Sequence, residues 1–219
     1  MNNAIITGGA FHNQNFFQVC NCKFKNIFKE QIYILDLHST DLSKYDYIVI
    51  ASRLNPKILT QNKAKFEEYL QNGGHIVSFG DIMSDHLPFI DFTPTQVNFW
   101  WWIHPGADLP MYAYDNSDEI WNFLKLQECK WHYHGIFNPP KYAKKIIVDE
   151  IGKTILYKDS YSFAGNMYIT SLDPDYHIGQ GFMPTTIVFL EKFIAWVEYD
   201  IKNGAKIWKN YYFYYLLLQ

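Results

Sequence analysis

Two apolar runs, DYIVIASR at residues 46–53 and GGHIVSFGD at residues 73–81, bracket a segment with helical character. The apolar residues Phe66, Tyr69 and Leu70 of that segment fall on one face of a helix. Two short buried strands joined through an amphipathic helix are typical of the βαβ unit of a parallel sheet. Residues 46–81 therefore predict an α/β fold.

The ends of the helix within this unit can be predicted from capping residues. Thr60 is a candidate N-cap, and the helix is expected to continue through Asn72. Gly73 and Gly74 end it, because glycine adopts the left-handed C-cap conformation without a Cβ clash. The second strand of the unit then follows at residues 76–79.

The chain before this unit predicts two further strands of the same sheet. Residues 4–6 form a short apolar run that leads into Gly8 and Gly9, and residues 32–37 form a second run. The apolar spacing within residues 13–29 predicts a helix between them. Gly8 and Gly9 are not a Rossmann fingerprint, because the third glycine is missing.

The chain after the unit changes character and then becomes regular again. Residues 82–143 are rich in proline and tryptophan and are predicted to be an irregular insertion with a helix at 119–126. Residues 145–149 and 154–158 predict a hairpin, 166–171 a strand and 172–179 a loop. A helix begins at Thr185 or Thr186 and runs through Tyr199. No repeat or linker is visible, so residues 1–219 are predicted to be one domain.

Composition and charge exclude several classes of function. The net charge is -3, and charges of one sign do not form a long run, so neither nucleic acid nor a membrane surface is an expected partner. No apolar run reaches the roughly 18 to 20 residues of a membrane span. The absence of a signal peptide and the unpatterned Cys20, Cys22 and Cys129 predict free thiols and a cytoplasmic location.

The order of these elements resembles the class I glutamine amidotransferase-like superfamily, and within it the ThuA-like branch is the closest. Residues 45–50, 70–77 and 169–177 carry the resemblance. It implies a single-domain, flavodoxin-like three-layer sandwich with a mostly parallel central sheet. The Trp-rich insertion lies outside it.

The resemblance also bears on activity. In the amidotransferases a nucleophilic cysteine occupies a tight turn after the Gly-Gly strand, and a later histidine serves as its base. Here that turn reads FGDIM at residues 79–83, so Asp81 stands at the cysteine position. His177 is the counterpart of the histidine, but the Pro-Glu pair that follows it in the family is missing. The chain is therefore expected to lack glutaminase activity.

Candidate site residues follow from the rule that open parallel sheets bind ligands outside the carboxyl ends of their strands. We predict that three residues are catalytic: Asp81, Asp173 and His177. The same rule selects Gly9, His12 and Arg53 as ligand-binding residues, and the His-x-His spacing adds His132 and His134, which a strand would place on one face. Gly8 lies at the same edge.

Arg53 is the only arginine of the chain and directly follows a predicted central strand. One interpretation is forked binding of a carboxylate or phosphate, which lysine performs less well. The other is a structural salt bridge to Asp81 or Asp36.

The histidines and the acidic loop each allow two interpretations. His132, His134 and His104 are candidate metal ligands, but no HExxH pattern is present, which favours packing; no metal is assigned and the cofactor stays open. The loop with Asp173, Asp175 and His177 suits acid–base chemistry, or it is a turn in which Asp173 caps through its side chain.

These features lead to two functional hypotheses. The first is a small polar ligand, carbohydrate being one class, bound at the sheet edge for hydrolysis or isomerisation; Trp100, Trp101 and Trp102 would then stack on a sugar. The second is a non-catalytic assembly module that acts through the Trp-rich insertion and the aromatic tail at 211–218, with homo-oligomers as one outcome. Whether the protein is an enzyme stays open.

Overall fold

The computed structural model describes residues 1–23, 27–96 and 103–217, and it describes side chains for 1–19, 27–96 and 103–204. Ten strands form one sheet: β1 (Asn3–Thr7), β2 (Glu30–Tyr33), β3 (Tyr47–Ile50), β4 (His75–Ser78), β5 (Phe92–Pro94), β6 (Met111–Ala113), β7 (Gly135–Phe137), β8 (Lys144–Asp149), β9 (Thr154–Asp159) and β10 (Met167–Thr170). Five α-helices accompany it: α1 (Phe11–Lys23), α2 (Pro56–Gln61), α3 (Lys63–Gln71), α4 (Pro174–Gln180) and α5 (Thr185–Leu217).

The core of the sheet is parallel, in the order β2-β1-β3-β4-β10. Ile5 lies opposite Val49, and Val49 lies opposite Val77. All residues of β1, β3 and β10 are buried, as expected for strands covered on both faces. The predicted βαβ unit and the flavodoxin-like α/β domain are confirmed.

Antiparallel strands extend this parallel core on one side. β9 pairs with β10, and the predicted hairpin of β8 and β9 is present. The insertion adds β5, β6 and β7 to this half of the sheet. The helix predicted at residues 119–126 is wrong, since only short 3-10 turns form there, at Glu119–Asn122 and Leu126–Cys129.

The helix between β3 and β4 begins earlier than predicted. Asn55, and not Thr60, is the N-cap: its Oδ1 accepts hydrogen bonds from the N–H groups of Lys57 and Ile58 at 3.0 and 3.3 Å. Pro56 at the first helical position favours this start, because its fixed φ suits a helix and it has no N–H to satisfy. Thr60 lies inside α2.

Two predictions around the sheet edge were also wrong. Residues 172–179 are not a loop, because α4 begins at Pro174; Asp173 occupies its N-cap position but makes no capping hydrogen bond with its side chain. The strand predicted at 32–37 ends at Tyr33, after which Ile34–Asp36 forms a 3-10 turn.

The helix predicted from Thr185 is confirmed, and it continues to Leu217. Its buried face carries Phe189, Phe193, Trp196 and Val197, and the ring of Phe193 packs on that of Phe79 next to β4. This face closes the core over the sheet. Among the helices of the described chain, none has the length and apolarity needed to cross a bilayer.

Candidate functional site

Three segments of the chain bring polar side chains together at the carboxyl edge of the parallel sheet. Arg53 follows β3, and Asp173 lies between β10 and α4. His177 is one turn further along α4, and the segment before β7 supplies His132 and His134. The carboxyl ends of neighbouring parallel strands lie at one edge of the sheet, which brings the side chains that follow β3 and β10 together.

Asp173 is the centre of this cluster, and its side chain is fully buried. Its Oδ2 lies 2.9 Å from His134 Nε2 and 3.4 Å from the Arg53 guanidinium. Its Oδ1 lies 3.2 Å from His177 Nε2 and 3.5 Å from His132 Nε2. One carboxylate therefore contacts three imidazoles and a guanidinium.

His132, Asp173 and His177 form a tighter subset, which we call the ligand triad. The Nε2 atoms of the two histidines are 3.0 Å apart. All three side chains are buried, and each offers one electron-pair donor to the same small volume. The sequence offered His132 as a candidate metal ligand and His177 as a catalytic residue, and the structure places both next to Asp173.

Arg53 is held in an unusual backbone conformation with φ of 58°. The N–H and Oγ–H of the preceding Ser52 both donate to Asp175 Oδ2 at 2.9 Å, which fixes the turn. The guanidinium lies 4.0 Å from the centre of the Tyr176 ring. Residues in such sparsely populated conformations concentrate at functional sites.

Electrostatics within the cluster follow from burial and charge. Burial acts to raise the pKa of Asp173, but the contacts from His134 and His177 outweigh it and lower that pKa. Burial lowers the pKa of His132 to about 4, so its imidazole is neutral near pH 7. Burial, and then the charge of Asp173, raises the pKa of Asp175 to about 7.

A cleft of about 290 Å³ opens beside Arg53. It is lined by Asp81, Ile82, Ser84 and His86, among others. Within the described residues, Asp81 Oδ1 and His86 Nε2 are buried without a hydrogen-bond partner. A second cleft of about 370 Å³, next to Asp46 and Gly74, lies at the opposite edge of the sheet and contains no such cluster.

The remaining predicted site residues are dispersed around this edge. His12 is half-buried, and its ring packs edge-on against Tyr176 at 5.1 Å. Gly9 lies against the hydroxyl of Tyr33, and the Gly8 N–H donates to Asn13. His104 is exposed and lies outside the ligand triad.

Both salt bridges suggested for Arg53 are replaced by a third, to Asp173. Arg53 and Asp81 line the same cleft, and Asp173 connects Arg53 to His177. The side-chain cap suggested for Asp173 does not form, because both carboxylate oxygens face the cluster instead.

The turn after β4 differs from a nucleophile elbow. Residues 79–91 contain no helix, so Asp81 does not stand at a helix N-terminus. Cys129 is free and fully buried, and burial raises the pKa of its thiol, which makes it inert. Some predictions fall on side chains that the structure does not describe: Cys20, Cys22, the three tryptophans at 100–102 and the tail at 211–218.

Sequence reasoning missed three contributors, Ser52, Tyr176 and His86, and it gave Asp175 a different role. Ser52 and Tyr176 position Arg53, and Asp175 acts through Ser52. Tyr176 and Asp175 lie within the acidic loop already singled out, so that loop contained the signal. No feature of the sequence pointed to His86, because its place in the cleft wall depends on the fold of the segment after β4.

The sequence matches no protein-family model and no curated protein. Solved structures are similar over most of the chain. A ThuA-like protein from Bacteroides uniformis aligns with 87% of this chain and 89% of its own, at 14% identity and a TM-score of 0.51. A glutamine amidotransferase from Thermotoga maritima aligns with 94% and 86%, at 9% identity and a TM-score of 0.50.

The chain has the fold of glutamine amidotransferase-like and ThuA-like proteins. A cytoplasmic protein from Salmonella typhimurium, STM1381, is similar as well, with 88% of this chain and 98% of that one aligned at 10% identity and a TM-score of 0.56. At such identities the likeness shows the fold alone. The resemblance to amidotransferase-like and ThuA-like proteins is thereby confirmed, while the site residues stay predictions.

Proposed function

We propose that this amidotransferase-like protein lacks glutaminase activity and binds a small polar ligand with an anionic group at the carboxyl edge of its sheet. The observation that carries the proposal is the convergence of Arg53, three histidines and Asp173 beside a cleft whose wall contains Asp81 and His86. Its location is proposed to be the cytoplasm.

Arg53 is suited to hold the anionic group. Asp173 contacts one of its terminal nitrogens at 3.4 Å, and about a third of the Arg53 side chain is exposed. Packing on the Tyr176 ring orients the guanidinium plane. The remaining N–H groups are donors in a fixed fork, the geometry that recognises carboxylates and phosphates.

The cleft supports a polar ligand of modest size. Its volume of about 290 Å³ is at the lower end of small-molecule sites. Asp81 Oδ1 and His86 Nε2 are buried in its wall without partners in the described part of the chain, and hydroxyl groups of a ligand would satisfy them. A sugar acid or sugar phosphate combines hydroxyls with an anionic group, so we favour this class.

The reaction proposed for such a ligand is hydrolysis or isomerisation. Both need a proton to be moved at a positioned group, and His177 is the candidate. Asp173 contacts the His177 imidazole and would hold its orientation, while Asp81 lines the cleft. This arrangement separates the anchoring of the ligand from the proton transfer.

The test is a binding screen by calorimetry with sugars, sugar acids and sugar phosphates. Anionic members should bind, and Arg53→Lys should weaken them by about tenfold or more, since the forked hydrogen bonds are lost. Asp81→Asn should weaken binding as well, whereas Asp36→Asn, at an exposed carboxylate away from the cleft, should change nothing. Equal affinity of the wild type and Arg53→Lys, or no binding by any member, would refute the proposal.

A further inference from the structure

We infer that the ligand triad, His132, Asp173 and His177, binds one divalent transition-metal ion, with zinc as the reference ion. The inference rests on the proposed function and refines the same site: with a metal bound, His177 Nε2 is a ligand, and the proton transfer falls to Asp81 in the cleft wall. Three atoms would ligate the ion: His132 Nε2, His177 Nε2 and Asp173 Oδ1.

The spacing of these atoms fits a metal ion. They are separated by 3.0, 3.2 and 3.5 Å. Zinc lies 2.0–2.2 Å from nitrogen and oxygen ligands in a tetrahedron, which places its ligand atoms about 3.3 Å from each other. The triad is therefore already arranged as one face of such a tetrahedron.

The two oxygens of Asp173 have separate roles. Oδ2 accepts from His134 and contacts Arg53. Oδ1 is buried, and no described residue gives it a contact with hydrogen-bond geometry, although the two triad nitrogens are close. A buried carboxylate oxygen without a hydrogen bond is costly unless a cation satisfies it. His134 thus orients the carboxylate so that Oδ1 faces the two imidazoles.

Hydrogen bonds alone account less well for the triad. A proton on one Nε2 could bridge the two imidazoles, but Oδ1 would still have no partner of proper geometry among the described residues. One cation among the three atoms would satisfy all three lone pairs at once. Burial strengthens this preference, because unpaired polar atoms are most costly away from water.

The donor set selects the class of metal. Imidazole nitrogen suits zinc, iron, copper and nickel, whereas magnesium and calcium prefer all-oxygen sites. Two histidines and one carboxylate also leave coordination positions open for water or substrate, as in catalytic sites. Arg53, on the other oxygen of Asp173, would place an anionic ligand next to the open position.

The experiment is a calorimetric titration of chelator-treated, dialysed full-length protein with ZnCl₂, checked by metal content after gel filtration. We expect one zinc per chain. His132→Gln and His177→Gln should weaken binding by at least about 100-fold, and His134→Gln by about 10- to 100-fold, because it only orients Asp173. His104→Gln is the matched control, at an exposed histidine outside the triad, and should bind like the wild type.

Three outcomes overturn the inference: no zinc retained, binding unaffected by His132→Gln and His177→Gln, or the same loss in His104→Gln. If a triad variant misfolds by circular dichroism, Co²⁺ added to the wild type decides instead, since a tetrahedral histidine–carboxylate site gives intense visible absorption and an unstructured surface site does not. Repeating the ligand screen on the metal-free protein separates the two proposals. Anionic ligands that bind to a protein unable to hold zinc would refute the metal and retain the proposed function.

Discussion

Replacing Gly80 with alanine tests how closely the loop after β4 approaches the turn that carries Arg53. Gly80 has a φ of +79°, and a Cβ built there would lie 2.6 Å from Ser52 Cβ. Its N–H donates to the carbonyl of Leu172 at 2.9 Å, so the loop cannot move away without losing that bond. Ser52 is held in turn by Asp175.

Two costs add in this variant. Alanine in the left-handed conformation costs about 1–2 kcal/mol. Forcing a methyl group into a packed site costs about 1–3 kcal/mol more, because Ser52 Cβ is attached to backbone that has no room to shift. The total of about 2–5 kcal/mol corresponds to a decrease in Tm of about 4–20 °C for a chain of this length.

Gly152→Ala is the matched control. Gly152 has the same φ of +79°, but nothing lies within 4 Å of its virtual Cβ. Thermal unfolding followed by circular dichroism should therefore give the backbone cost alone, about 1–2 kcal/mol. If both variants lose the same stability, the close approach of Gly80 to Ser52 is refuted.

Three further predictions concern activity, pH and the core. Incubation with glutamine should release no ammonia, since the turn after β4 has no cysteine; release above a heat-treated control would contradict this. His75 Nδ1 accepts from the Asn166 N–H at 2.9 Å, and burial lowers the His75 pKa from 6.5 to about 4. The stability that neutral His75 contributes is thus complete above pH 6.5 and is lost as the pH falls towards 4, by up to about 3 kcal/mol. In His75→Gln, the free energy of unfolding by urea should depend less on pH across that range. The same pH dependence as in the wild type would refute this role of His75. Phe193→Ala should cost about 3–5 kcal/mol by urea unfolding, against under about 1 kcal/mol for half-exposed Val188→Ala, and similar losses would contradict the assignment of the buried face.

The parallel core was predictable because its strands are short, are centred on apolar residues and are separated by clear turn residues. Residues 46–81 identified β3, β4 and the glycine C-cap, since strands buried on both faces need continuous apolar runs. The start of α2 was misplaced because Thr60 and Asn55 are both acceptable caps, and only the Pro56 that follows Asn55 distinguishes them.

The site was predictable in part, through the rule that ligands bind at the carboxyl edge. That rule selected Arg53, Asp173 and His177, which the structure brings together. It could not select His132 and His134, which belong to an irregular segment whose path depends on tertiary packing. Nor could it show that a helix begins at Pro174, because an Asp-Pro pair is equally typical of a turn.

The most direct test of whether the carboxyl edge of the sheet is the functional site is anomalous diffraction at the zinc edge. The crystals would be of the full chain, grown with ZnCl₂. We expect one anomalous-difference peak about 2.0–2.2 Å from His132 Nε2, His177 Nε2 and Asp173 Oδ1, with Arg53 beside it. A triad without a peak, in crystals that show zinc elsewhere on the chain or none at all, would contradict it.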